Sequence, residues 1–275
     1  MATNGTAANG SAHAATPTDM RAYRAPSLLQ PFRARDALRD AHEGRIPPLQ
    51  VYFLMLSAPS IIKVIAQVGI CGHDHANIGY ALDTGASIMV PQIETVEDAK
   101  HVVSAAKFGK KINGTRSAPP GRWLPGISDI GVNSELTLWE NLNNQAAIII
   151  QVESKQAVDN LDDILTECGE HIDAVWLGSL DCRVSMGLPG FWGEEPEFLE
   201  VLETVNRTLR KHDMPYAGAA MGTPEQVQAM GAGKAFVAVQ GDVFSLLGAA
   251  AESLSKGREL LPAVNISAAN KKGSE

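Results

Sequence analysis

Cysteine is scarce in this chain. Only Cys71, Cys168 and Cys182 carry a thiol among 275 residues, and their spacing is unpaired. That argues against a disulfide framework, and a reducing, cytoplasmic setting is expected. Long apolar runs are missing too. None approaches the ~18 residues that span a bilayer, so no membrane partner is expected. The amino-terminal stretch lacks the charged-then-apolar pattern of a secretory leader. A basic stripe is also lacking. The formal net charge is −8 and the isoelectric point is near 5.4, which argues against nucleic acid as a partner.

What is present is an ordinary globular composition, 45% apolar and 20% charged. The expected layout is a disordered tail over residues 1–24, one α/β domain over 25–262, and a flexible tail over 263–275. Within the domain, apolar runs alternate with segments of helical spacing. Strands are expected over 49–56, 87–91, 146–153, 174–181, 216–221 and 235–240. Helices are expected over 27–43, 58–68, 73–82, 96–108, 136–144, 156–168, 196–212, 224–230 and 243–261. Thr95 and Asp98 have the spacing of a capping box. Residues 110–130, rich in Gly, Pro and Ser, read as a long loop. The alternation predicts a parallel sheet. It fails once, because two helical patterns and no strand separate 49–56 from 87–91. Six strands result, two fewer than an eight-stranded barrel needs.

Two acids stand out. Glu153 closes the run Ala146-Ala147-Ile148-Ile149-Ile150-Gln151-Val152-Glu153, and Asp181 closes Ala174-Val175-Trp176-Leu177-Gly178-Ser179-Leu180-Asp181. They stand 28 residues apart, the length of one strand–helix repeat. If the two runs are parallel neighbours, both carboxylates emerge at the carboxyl end of the sheet, where α/β proteins place their chemistry. Carboxylates on strands about 4.8 Å apart repel by roughly 3–4 kcal/mol at an effective dielectric near 20. Neither run contains Lys or Arg. A hard cation with oxygen ligands is the leading way to offset that repulsion. The alternative is that each acid merely caps the helix that follows it.

Several stretches together resemble the HpcH/HpaI aldolase/citrate lyase family of metal-dependent pyruvate aldolases. They are Ala81-Leu82-Asp83-Thr84-Gly85-Ala86, Ile88-Met89-Val90-Pro91-Gln92, Gln151-Val152-Glu153 and Gly178-Ser179-Leu180-Asp181. Segments 25–35 and 72–80 add a likeness to one fungal member. The resemblance implies a TIM-type (β/α)8 barrel in a homo-oligomer, usually a hexamer. It implies that Glu153 and Asp181 hold a divalent metal, Mg2+ first, with Mn2+ or Co2+ as alternatives. Gln151 would line the substrate pocket, and the backbone N–H groups of Leu180 and Asp181 would meet a substrate carboxylate. The implied activity is that of a carbon–carbon lyase on a 2-keto acid, with oxaloacetate as the first substrate expected, by aldol cleavage or decarboxylation.

The resemblance also exposes a gap. The family carries an acid/base His in an Asp-x-Glu-His run on its second strand, and an enolate-stabilising Arg in a Val-Arg-Val-Pro run on its third. Neither run occurs in this chain. Asp83 matches the acid that tunes that His. The expected fold is therefore a barrel lacking strands 2 and 3 and the helix between them. The alternative function is a catalytically impaired, shortened paralogue serving as a metal-binding subunit. His73 and His75 read as exposed residues near a helix start rather than replacements for the missing His. Arg116 and Arg122 read as solvated loop residues, with carboxylate binding as the alternative. Residues 231–234 read as a turn, lacking the spacing of a phosphate loop.

Overall fold

A computed structural model describes residues 34–47, 49–53, 68–70, 74–83, 85–118, 133, 135–144 and 146–260. The chain forms α1 (Ala34–His42), β1 (Leu49–Phe53), β2 (Val68–Ile70), α2 (His75–Asp83), β3 (Ser87–Val90) and α3 (Val96–Ala106). There follow α4 (Leu138–Asn143), β4 (Ile148–Val152), α5 (Lys155–Cys168), β5 (Ala174–Leu177), α6 (Ser179–Ser185) and α7 (Pro196–Lys211). β6 (Tyr216–Ala219), α8 (Pro224–Gly231), β7 (Phe236–Gly241) and α9 (Asp242–Leu260) complete it. No helix among the described residues is long and apolar enough to cross a membrane.

Seven strands form one sheet in the order β1-β7-β6-β5-β4-β3-β2. Every pair is parallel. The central strands are apolar on both faces, as strands covered on both sides must be. Ile148, Ile150, Val152, Val175 and Leu177 pack outward against α3, α5 and α7. Met89, Ile149, Trp176, Ala217 and Phe236 point to the other face and form a separate inner cluster. Trp176 and Phe236 meet there edge to face, with ring centroids 6.1 Å apart.

α1 closes the end where the strands begin. Its Ala34 and Leu38 enter the inner cluster. Its Arg35 pairs at 2.6 Å with the buried Asp173, which also accepts the Ile148 N–H at 2.8 Å. Nearby, the buried Lys107 ammonium donates to the Asn143 carbonyl at 2.7 Å, and burial pushes it down to about 8. The expected capping box is present: Thr95 Oγ1 accepts the Asp98 N–H, and Asp98 accepts the Thr95 N–H. Thr137 and Thr223 cap α4 and α8 in the same way.

The sheet departs from expectation at one strand. Val68–Ile70 forms β2 beside β3, where the sequence reads as the end of a helix. The helical spacing rests on Ile61, Ile62 and Ile65, which lie outside the described residues together with Cys71, His73 and Arg122. Val-Gly-Ile is short and β-branched, and it suits a sheet edge. A seventh parallel strand thus stands where two were expected to be missing. Among the described residues, β1 and β2 are the edges and do not pair with each other.

Candidate active site

The carboxyl ends of β3, β4 and β5 converge on one side chain. β4 pairs with β5 so that Gln151 faces Trp176 and Val152 faces Leu177. Glu153 follows directly and lies beside Gly178, whose N–H donates to the Val152 carbonyl at 3.0 Å. Glu153 is only 7% exposed. Its Oε2 accepts the Gln92 N–H at 2.9 Å, and its Oε1 accepts the Gln151 side-chain amide at 2.8 Å. Both oxygens are therefore aimed by fixed donors.

Two local features make that aim possible. Gln92 has φ +55°, a left-handed conformation that costs a non-glycine residue about 1 kcal/mol or more. It presents its N–H to Glu153 in that conformation. Gly178 lies against the Glu153 side chain. A Cβ there would sit 2.6 Å from both Cγ and Oε1 of Glu153.

Burial raises the Glu153 carboxyl above its ordinary value. The Gln92 N–H opposes this, and the negative charges of Asp181 and Glu94 add to the rise. The largest charges that bear on Glu153 are thus of its own sign. Asp181 lies on the exposed side of the first turn of α6. Glu94 accepts the Ser154 hydroxyl at 2.6 Å, and its carbonyl accepts the Asn160 amide at 2.8 Å. Ser154 in turn caps α5 by accepting the Ala157 N–H at 3.0 Å. Leu180 and Asp181 occupy the opening of α6, where N–H groups have no acceptor within the helix.

Among the described residues no group of three or more His, Cys, Asp or Glu converges on a metal position. The chain offers the oxygens of two carboxylates, one of them held by the Gln151 amide. Such a set fits a hard divalent ion that keeps water and substrate oxygens as further ligands. It does not fit a soft metal that needs thiolate or imidazole.

The structure brings Glu153, Asp181, Gln151 and Leu180 to one end of the sheet. Asp83 lies elsewhere: it ends α2 just before β3, on the side where the strands begin. There it accepts Arg116 Nη2 at 2.6 Å. Arg116 is the clear correction. It is buried, not solvated, and its guanidinium covers the Phe108 ring at 4.4 Å. His75 is exposed at the start of α2, as expected, with its ring 6.0 Å from that of His101.

Sequence reasoning missed the loop after α6. Fully buried Arg183 clamps it, donating to both Glu195 oxygens at 2.7 and 2.8 Å and to the Pro189 and Gly190 carbonyls. The guanidinium hydrogen bonds hold Glu195 down at about 2. The sequence signal was a lone Arg in an apolar helix face, which carries no partner information.

A curling parallel α/β sheet with acids gathered at its carboxyl edge defines a barrel-type protein with an anionic site. The chain belongs to the HpcH/HpaI aldolase/citrate lyase family, whose model matches residues 61–249. A 2-keto-3-deoxy-L-rhamnonate aldolase of Escherichia coli K12 is 32% identical over 166 residues, covering 59% of this chain and 58% of that protein. The chain therefore spans about three fifths of the length of the curated relatives it matches. Among solved structures, macrophomate synthase, the member anticipated from segments 25–35 and 72–80, superposes with a TM-score of 0.67 at 22% identity. That superposition covers 90% of this chain and 95% of the other. A family protein from Burkholderia cenocepacia J2315 gives 0.61 at 22% identity over 86% and 92%. At these identities the superpositions establish the fold, a partial TIM-barrel type.

Proposed function

We propose that this chain is a metal-dependent carbon–carbon lyase acting on a 2-keto acid, with oxaloacetate as its first substrate. The observation that carries the proposal is the buried Glu153, aimed by Gln92 and Gln151 and faced by the like charges of Asp181 and Glu94. Glu153 and Asp181 would hold the cation, Mg2+ first. A bound divalent ion supplies Lewis-acid polarisation of the keto oxygen. Gln151 keeps the Glu153 carboxylate turned towards Asp181 and presents its own amide to the pocket. The first-turn N–H groups of Leu180 and Asp181 receive the substrate carboxylate, favoured there by the helix dipole.

The second reading, an impaired metal-binding subunit, is favoured by the placement of the histidines. Among the described residues His42 pairs with Asp213, His171 with Glu170, His212 with Asp162, and His75 lies by His101. None of these contacts belongs to Glu153. Losing a general acid/base costs about 10²–10⁴-fold, and losing one charge-stabilising donor about 10²–10³-fold. Slow but Mg2+-dependent release of CO2 and pyruvate from oxaloacetate is the expected result. Release no faster than that by Glu153→Gln would overturn the lyase reading and leave the subunit reading.

We also infer self-association, up to the hexamer that the family likeness implies. α9 has no buried residue and exposes Phe244, Leu246, Leu247, Leu254 and Leu260. An apolar helix of that length marks a contact surface. Sedimentation should give a multiple of the 29.2 kDa chain mass. A monodisperse monomer would remove the inference. Cys168 and Cys182 are free and buried, in keeping with a reducing, cytoplasmic setting.

A further inference from the structure

A cavity of about 580 Å³ lies between the outer face of β5 and β6 and the helices α7 and α8, and it reaches Ser179 at the opening of α6. Leu177, Phe198, Tyr216 and Met230 supply apolar wall, and Glu194 and Asn206 supply polar groups. Lys234 enters this cavity from the turn before β7, and it is the only cation among the described residues of the lining. Its Nζ lies 4.6 Å from the centre of the Tyr216 ring and donates to the Met230 carbonyl at the end of α8. The lysine stem passes directly over Gly218, where a Cβ would meet Lys234 Cε at 2.6 Å. The missing side chain at 218 is what lets the amine reach inward. A lysine that served only solubility would extend to water.

We propose that Lys234 is a covalent capture site for small apolar aldehydes, which it binds as an imine within this cavity. The neutral amine attacks the carbonyl carbon, the carbinolamine forms, and one water leaves as the C=N bond closes. No oxidant or further reactant is needed. An aldehyde suits the cavity better than a keto acid. Once Lys234 has become the imine nitrogen, no other cation among the described lining residues remains to pair with a ligand carboxylate. The proposal does not rest on the Glu153 reading, since Lys234 lines this cavity and Glu153 does not.

The chemistry favours reaction near neutral pH. Burial pushes Lys234 down to about 8. At pH 7.4 roughly a fifth of such an amine is neutral, against roughly 0.1% of an ordinary lysine. A less basic amine is a weaker nucleophile. A Brønsted slope like the ~0.4–0.5 of thiols returns about tenfold of that gain. Net reactivity about tenfold above surface lysines remains.

The test uses the full chain with butanal and sodium cyanoborohydride at pH 7.4, followed by peptide mass mapping. Lys234 should carry the reduced adduct about tenfold faster than the exposed Lys110 and Lys111. Ala229→Phe, which fills the cavity from its exposed helix, should suppress the Lys234 adduct and leave Lys110 unchanged. Pyruvate in place of butanal should label Lys234 more slowly. Labelling of Lys234 no faster than of Lys110 would overturn the proposal, as would indifference to Ala229→Phe. Equal labelling by pyruvate would overturn the choice of aldehyde.

Discussion

Glu153→Gln should abolish Mg2+ and Mn2+ uptake and yet raise the melting temperature of the metal-free protein at pH 7. Both effects come from one cause. Burial, with Asp181 and Glu94 beside it, makes the ionised Glu153 costly in the folded state. Its folded value lies above the ordinary 4.5, so the folded chain binds this proton more tightly than the unfolded chain. Stability therefore falls as pH rises from about 4.5 through the raised value, and the full cost is present above that value. Glutamine removes that cost. Its carbonyl can still accept the Gln92 N–H, and the Gln151 amide can turn its oxygen to the new NH2 group. The melting temperature should rise, each kcal/mol recovered being worth roughly 2–4 °C for a chain of this size.

A bound metal should reverse the order. A cation at one hundred times its dissociation constant stabilises the parent by about 2.7 kcal/mol and leaves the variant unchanged. The two melting curves should therefore cross when Mg2+ is added. Because the cation displaces the Glu153 proton, its affinity should also weaken as pH falls through the raised value. Calorimetric titration with Mn2+ at two pH values checks this. Equal uptake by parent and variant would sink the assignment, and so would a variant that melts lower than the metal-free parent at pH 7.

Much of this was legible in the chain because the signals were local. Apart from Gln151, the run from Ile148 to Val152 is apolar and β-branched, and it forms a strand wherever both faces are covered. Glu153 and Asp181 were visible through their equivalent places after such runs. What stayed hidden was non-local or carried by backbone. Gln92 acts through an N–H and a φ of +55°, and nothing in a glutamine announces either. Arg116 and Asp83 are 33 residues apart and meet only after α2 and α3 have packed. Val68–Ile70 is too short to show a period and becomes a strand by pairing with β3. The strained Gln92 and the unneutralised Glu153 both break local rules at one point. A fold tolerates such conflicts where it serves a function.

Gly178→Ala should separate the position of the Glu153 carboxylate from its presence. The new methyl would lie 2.6 Å from Glu153 Cγ and Oε1, well inside contact distance. The backbone at 178 has φ −77°, which alanine adopts without strain, so the whole effect is steric. Glu153 must then swing, and its bonds from Gln92 and Gln151 lengthen or break. Overpacking of this kind costs about 1–3 kcal/mol, and the folded protein should survive it with a lowered melting temperature. Divalent affinity should fall by about 10–100-fold, the usual loss when a ligand keeps its chemistry but loses its orientation. Gly169→Ala is the matched control. Its Cβ would meet only Leu165 Cβ and Met214 Cε, each at 3.8 Å, and should leave uptake intact. If Gly178→Ala takes up Mn2+ as tightly as the parent, the carboxylate does not need the place the sheet gives it. The tight fit between β4 and β5 would then be packing alone.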